Sequence, residues 1–494
     1  MTGVQTCALP ILESLDYKEM TFELYKRLRA SPELRDWDHL AVVFQAYLKC
    51  TEQDARELVN WSRQERLPIS VRLVKGAYWD YETVRAKQNG WPVPVWTHKA
   101  ETDACYERTA AFFLENADQV RLACGTHNIR TISAVMEMAQ SLGVPAERYV
   151  FQVLYGMGEP VRKGLKNVAG RVRLYCPYGQ LIPGMAYLVR RLLENTANES
   201  FLRQSFAGEA DMARLLEDPH DAAERARKEA PAAKPAPAGL PPFANQAPAD
   251  FTLPAVRAAF PKALAEVRAQ IEKGGQELPL RIGGQEVRTG DLLDSYNPAR
   301  TSEVVARVHQ AGVAEVEAAI AAAKAAFPAW RNTPPAERAA VLFKAADLAR
   351  ARIYELAAWQ VVEVGKQWDQ AHADVGEAID FLEYYGREML RLAAPRRMGR
   401  APGELSHYLY RPKGLTAVIA PWNFPLAISC GMSAAALVAG NCVLYKPSGL
   451  ALRVGWCLAE LLRDAGLPEG VFTYLPGRGS VMGEIGRASC RERV

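Results

Sequence analysis

"ISVRLVKGAYWD" (Ile69–Asp80) begins as a run of β-branched and apolar residues and ends in two cations, a glycine and two aromatics. A strand buried in a parallel sheet reads this way when its C-terminal end feeds a functional loop. Four other stretches share the pattern: "AVVFQAY" from Ala41, "VRLACGTHN" from Val120, "YVFQVLYGMGEP" from Tyr149 and "RVRLYCPYG" from Arg171. Amphipathic helical segments such as "DACYERTAAFFLENA" lie between them, so the unit is a repeated βα fold. Distinctive residues (Gln45, Tyr47, Lys75, Tyr78, His127, Asn128, Tyr175) stand at or just past successive strand ends. A barrel distributes its ligand groups over many strand ends, whereas an open sheet gathers them at one switch point. The expectation is a partial (β/α)8 TIM-like barrel with five of its eight strands, three more belonging upstream of Leu15.

The whole chain sets wide bounds. At 494 residues it exceeds one ordinary core and predicts several domains. A 49% hydrophobic, 23% charged composition with net charge +4 is that of a globular protein and argues against nucleic acid as a partner. The nine cysteines form no CxxC pair, which speaks against a zinc site or a disulfide framework and for a reducing cytoplasm. Met1–Leu15 lacks the pattern of a secretory signal. "MTGVQTCALPI" and "GRASCRERV" resemble nothing periodic beside them and look like translated adapter DNA, so residues 1–14 and 486–494 read as non-native flanks of an internal fragment.

Residues 209–254 are rich in Ala, Pro and charge and read as a linker or wrapping arm. Beyond them, "LRIGGQEVRTGDLLDSYNPARTSEVVARV" suggests short strands, followed by long Ala-rich helices. Then "GLTAVIAPWNFP", "NCVLYKPSG" and "VFTYLPGRGS" alternate strand with helix, as in a Rossmann-like nucleotide-binding domain. Leu415–Tyr445 carries no charge, but Pro421, Asn423, Pro425 and several glycines break it and argue against a membrane span. Asn423 raises its own question. An amide in so apolar a stretch is either satisfied locally, by capping the next helix, or kept for a ligand.

Several residues carry chemistry by type and placement. Gly76 lets a ligand approach the backbone, and Tyr78 and Trp79 offer flat surfaces to a planar cofactor. Arg72 and Lys75 beside them serve an anion or merely snorkel from a strand end. His127 and Asn128 of "GTHN" follow a strand end. In "AYLVRRLLEN", Arg190 and Arg191 point about 100° apart, so one can pair with Glu194 while the other meets a carboxylate, or both can be solvated.

"QAY", "RLVKGAYWD", "THN", "GMGEP", "YCPYG" and "YLVRRLLENTANESF", in that order, resemble the proline dehydrogenase barrel of the bifunctional proline utilization A family. The resemblance covers roughly Leu15–Phe206 and implies FAD and oxidation of L-proline to pyrroline-5-carboxylate. It implies FAD contacts at Gln45, Arg72, Val74, Gly76, Ala77, Trp79, Thr97, His98, Lys99, His127, Asn128, Gln152 and Glu194. A proline pocket is implied at Tyr78, Tyr175, Arg190 and Arg191, with the arginines on the carboxylate. The family also uses a Lys and an Asp from earlier strands, which have no counterpart here. It further implies a membrane quinone as electron acceptor, hence peripheral inner-membrane association, and a homo-oligomer.

"APWNFP", "KPSG" and "PGRGS" resemble the aldehyde dehydrogenase superfamily, and after such a barrel the matching member oxidises glutamate semialdehyde to glutamate with NAD. The resemblance makes Asn423 the oxyanion donor to the tetrahedral thiohemiacetal. It places NAD at Ile419, Ala420, Pro421, Trp422, Lys446, Ser448, Gly477 and Gly479, and the aldehyde at Glu377 and Phe424. The superfamily's nucleophilic Cys and general-base Glu have no counterpart: Cys490 lacks the matching context, and Cys430 and Cys442 read as core. No metal is implied. The expected domains are the barrel at 15–208 and the N-terminal part of the dehydrogenase module at 255–485. An aldehyde dehydrogenase with a decayed barrel, and a non-catalytic cofactor-binding remnant, stay open as readings.

Overall fold

The computed structural model describes residues 15–37, 39–176, 180, 182, 185, 189, 216–229, 239–273, 276–481 and 483. The chain divides into two compact units, Met1–Pro235 and Ala236–Val494.

In the first unit, β1 (Ala41–Gln45), β2 (Ile69–Val74), β3 (Val120–Gly125), β4 (Tyr149–Leu154) and β5 (Val172–Tyr175) form one sheet in chain order, every neighbouring pair parallel. An open dinucleotide-binding sheet reverses its strand order midway; unidirectional winding is how a barrel is built. The crossovers carry α2 (Thr51–Glu65), then α3 (Trp79–Gln88) and α4 (Lys99–Glu115), then α5 (Ile129–Ser141) and α6 (Glu159–Val168), after the leading helix α1 (Lys18–Ala30).

Strand alternation explains why helices cover one face. On β2, Ile69, Val71 and Leu73 are buried, while Ser70, Arg72 and Val74 between them are partly open. The buried set packs with Val42, Phe44, Leu122, Cys124, Phe151 and Val153 of the other strands and with Leu58, Tyr106, Phe113 and Ile132 of the helices. The opposite face keeps the polar residues. Within residues 209–254, Pro219–Glu229 forms a helix, α7, that packs on α4. Arg227 of α7 bonds Glu101 at 3.0 Å and lies over the Trp96 ring.

In the second unit, α8 (Pro254–Glu272) precedes β6 (Gln276–Leu278), β7 (Leu280–Ile282), β8 (Gln285–Val287), β9 (Leu292–Asn297) and β10 (Arg300–His309). The Ala-rich region resolves into α9 (Val313–Asn332), α10 (Pro335–Ala351), α11 (Ile353–Val364) and α12 (Trp368–Leu392). Pro334 and Pro335 separate α9 from α10, with Pro335 in the first turn, where its missing N–H costs no helical bond. A short hairpin, β11 (Arg396–Arg397) and β12 (His407–Tyr408), follows. Next come β13 (Leu415–Ile419), α13 (Ala427–Val438), β14 (Cys442–Lys446), α14 (Leu452–Asp464) and β15 (Phe472–Tyr474). β13, β14 and β15 are parallel neighbours, and the antiparallel β7–β8 pair extends the sheet beyond β15. The three-residue β6 and six-residue β9 flank β10 in a second sheet. Val418, Leu444, Tyr445 and Leu458 belong to the core. Among the described residues, no helix is long and apolar enough to cross a membrane.

Candidate functional site

Register brings the first unit's candidates together. Gln45, Val74, Gly125, Gln152 and Arg173 pair successively across the five strands and form one row near their C-terminal ends, on the face that helices do not cover. Tyr175 pairs with Leu154 one step further along that face. Arg72 of β2 reaches past β3 and β4, its guanidinium 5.2 Å from the centre of the Tyr175 ring of β5. A Cβ at Gly125 would press on Val74 Cγ1 at 3.0 Å and lie in ordinary contact, 3.7 Å, with Arg72 Nε.

The loop after β2 has a fixed course. Tyr47 N donates to Lys75 O at 2.8 Å, and Gly76 adopts φ +127° with the Tyr47 ring where a Cβ would be, 2.4 Å from Cγ. Only glycine fits. Ala77 is exposed, Tyr78 half-buried, and Trp79 exposed with its indole N–H donating to Trp96 O at 2.7 Å. Thr97, His98 and Lys99 are exposed where α4 begins.

Two candidates have local work as well. Asn128 Oδ1 accepts from Thr131 N at 3.2 Å and caps α5. His127 Nε2 accepts from Leu154 N at 3.0 Å, which places the proton of the neutral ring on Nδ1 and ties the β3 end to β4. Arg190, Arg191 and Glu194 lie outside the described residues.

Whether this face fits a flavin can be judged from its polar atoms. Gln152 Oε1 is buried and makes no hydrogen bond among the described residues, a costly state for a native amide unless a ligand donor meets it. Arg72, which lines the same hollow, supplies positive charge beside it. The donor set fits an anionic, hydrogen-bonding cofactor.

In the second unit, Ile419 and Lys446 are register partners at the ends of β13 and β14, and Ala420 N donates to Lys446 O at 3.1 Å. Ile419 and Trp422 are exposed, Ala420 is buried and Pro421 half-buried. Lys446 donates to Pro447 O at 3.2 Å, and burial lowers its pKa. Ser448 Oγ accepts from Leu450 N at 3.3 Å. Gly477 and Gly479 follow β15, and a Cβ on Gly479 would meet nothing within 4 Å among the described residues.

Asn423 differs from what its neighbours suggest. It is exposed in the turn before α13 and does not cap that helix. The buried polar group is Asp374 of α12, whose Oδ2 accepts from Leu426 N at 3.2 Å and Ala427 N at 3.4 Å. Lys366 pairs with Asp374 at 3.5 Å and lies 4.2 Å from the Phe424 ring centre. Burial pushes the Asp374 carboxyl up. Glu363, likewise raised by burial, serves α14 in the same manner, accepting from Arg453 N at 2.7 Å and Val454 N at 2.8 Å. A helix N-terminus is an anion seat, and these two already hold carboxylates. Glu377 is exposed on α12 with no bond to Phe424 among the described residues.

Sequence reading missed Gly125, Asp103, Glu363 and Asp374. Their roles depend on partners roughly 30 to 90 positions away, as in Lys75–Asp103 and Glu363–Val454, for which spacing offers no signal. Cys430, Cys442 and Cys457 are buried, and burial pushes their thiols up to about 12, 11 and 12, so they are core residues. Among the described residues no cluster could hold a metal ion.

Comparison with known proteins agrees with both units. A family model of proline dehydrogenase matches residues 11–204, and one of the aldehyde dehydrogenase family matches residues 286–486. The chain thus joins a flavoenzyme-type barrel to a nicotinamide-dependent dehydrogenase fold, families that imply FAD and NAD. It belongs to the bifunctional, proline utilization A-like family. The Bifunctional protein PutA of Escherichia coli (strain K12) is 36% identical over 489 residues, covering 95% of this chain and 36% of that protein. The crystal structure of proline utilization A from Bdellovibrio bacteriovorus matches with a TM-score of 0.86 and 45% identity, over 96% of this chain and 48% of that one. The 1-pyrroline-5-carboxylate dehydrogenase of Geobacillus thermodenitrificans (strain NG80-2) is 46% identical over 243 residues, 49% of this chain and 47% of that protein. The chain therefore spans about 36% of the length of the curated bifunctional relatives it matches.

Proposed function

We propose that the protein to which this chain belongs degrades L-proline to glutamate: a FAD-dependent oxidation to pyrroline-5-carboxylate, then an NAD-dependent oxidation of glutamate semialdehyde. The observation that carries the reading is the row Gln45–Val74–Gly125–Gln152–Arg173 across strand ends in chain order, inside the match to proline dehydrogenase.

FAD, when bound, accepts the hydride from the substrate carbon. The chain's own residues bind and orient. Gln152 and Gln45 meet polar edges of the cofactor, Arg72 supplies charge, and Trp79 and Tyr78 provide apolar walls. Tyr175, held under the Arg72 guanidinium, shapes the proline pocket, and Arg190 and Arg191 bind the carboxylate. In the second unit Ile419–Trp422, Lys446 and Ser448 hold the adenosine half of NAD. Gly477 and Gly479 admit its pyrophosphate, because the N-termini of α13 and α14 are filled by Asp374 and Glu363. Asn423, exposed in the turn before α13, donates its amide to the developing oxyanion, with Phe424 and Glu377 at the aldehyde.

Residues 15–208 and 255–485 are the corresponding domains. A membrane quinone is the electron acceptor, reached by peripheral association, and the protein is a homo-oligomer. The test is dye reduction by the purified natural protein. Reduction that needs L-proline and tracks flavin content supports the reading; flavin-free protein inert towards proline refutes it.

A further inference from the structure

Asp103 is nine-tenths buried on α4, and its carboxylate holds two ammonium groups from different segments. One is Lys75, in the loop after β2, whose Nζ bonds Asp103 Oδ1. The other is Lys99, the first residue of α4, 2.5 Å from Oδ2. Burial by itself would raise the carboxyl, but the two lysines hold it below its usual range, while burial lowers Lys75.

This arrangement is poorly explained as a contribution to stability. A buried ion pair regains little of its desolvation cost, and similar-sized apolar groups often do as well. A lysine at the first position of a helix faces the positive end of the macrodipole, and its carboxylate partner lies four residues on, the weaker orientation for such a pair. The placement makes sense as registration. Lys75 immediately precedes Gly76, whose backbone is pressed against the Tyr47 ring, and Lys99 ends the exposed Thr97–Lys99 stretch.

We propose that Asp103 is a positioning residue for the flavin: it clamps the loop after β2 to the start of α4 so that the two cofactor-facing segments are preorganised together. The inference rests on the flavin reading of the first unit and adds to it a residue that need not touch the cofactor.

The test compares the full natural protein with three variants after flavin is stripped and FAD titrated back. Asp103→Asn should weaken FAD binding by about tenfold or more and lower the apoprotein melting temperature, since it leaves the largely buried Lys75 without its counter-charge. The double variant Lys75→Met/Asp103→Leu should restore the apoprotein melting temperature yet keep the weakened FAD binding, because the pair is replaced but Lys99 stays untethered. Asp103→Glu, which retains the charge, should bind FAD more tightly than Asp103→Asn. A double variant that binds FAD as tightly as the parent, or an Asp103→Glu no better than Asp103→Asn, would overturn the inference alone. A parent protein that takes up no FAD would instead overturn the flavin reading beneath it.

Discussion

Asp374→Ala should be among the most damaging single changes in the second unit. Two losses combine. The Leu426 and Ala427 amides lose their cap, worth about 1 kcal/mol, and Lys366 is left buried without a counter-charge, a class of change that costs roughly 3 to 5 kcal/mol. Because burial already disfavours the Asp374 carboxylate, the total should lie near the lower end of the combined range, about 4 kcal/mol. For a unit of this size that corresponds to a melting temperature lower by about 10 °C. Asp374→Asn retains an acceptor for the two amides but still removes the counter-charge of Lys366, so it should recover only about 1 kcal/mol of that loss. Thermal denaturation gives the first readout and amide hydrogen exchange along α13 the second. A variant melting within about 2 °C of the parent, with unchanged exchange through α13, would refute the assignment of Asp374 as its cap.

Other outcomes follow from single residues. Gly76→Ala must place a Cβ on the Tyr47 ring at φ +127°, so it should destabilise the first unit by about 3 kcal/mol or more and reduce bound flavin, as read by melting and absorbance. Hydrogen bonds from Arg352, both at 2.9 Å, hold the Glu355 carboxyl below its usual range. A depressed folded-state value stabilises above the unfolded pKa, about 4.3, and that stability is lost as pH falls through the lower folded value. Arg352→Met should therefore narrow the parent's loss of melting temperature on acidification below about pH 4, and an unchanged pH profile would contradict the pairing. Among the described cysteines, exposed Cys176 should alkylate first in the native protein, while Cys124, Cys430 and Cys457, whose thiols burial pushes up to about 12, stay unmodified until unfolding, as mass spectrometry would show.

β1 to β5, and β13 to β15 of the second unit, were legible because each is a short apolar run closed by turn or polar residues, and β1 to β5 begin within one residue of where those runs begin; the exposed polar hairpin β11–β12 offers no such run. That Gln45, Arg72, Gln152 and Tyr175 stand near strand ends was legible for the same reason, and parallel register brings them to one face, with Gln45 and Gln152 in one row, Arg72 a step before it and Tyr175 a step beyond. The environment of Asn423 was not. Its apolar neighbours suggested an interior, yet Pro425, Leu426 and Ala427 turn inward while Trp422, Asn423 and Phe424 point out. The polar demand at the start of α13 is met by Asp374, some 50 positions earlier, a pairing that only the packing of α12 on α13 creates. The helix α7 in the Ala/Pro-rich stretch escaped for a related reason, since its hold on α4 comes from Arg227 reaching Glu101.

On the proposed function, the uncovered ends of β1 to β5 hold a flavin poised to oxidise proline. The most direct measurement is the visible absorption spectrum of the purified natural protein, recorded without oxygen before and after L-proline is added. An oxidised flavin spectrum that bleaches on addition of L-proline is the expected result. A protein without flavin, or a bound flavin that L-proline leaves oxidised, would contradict it.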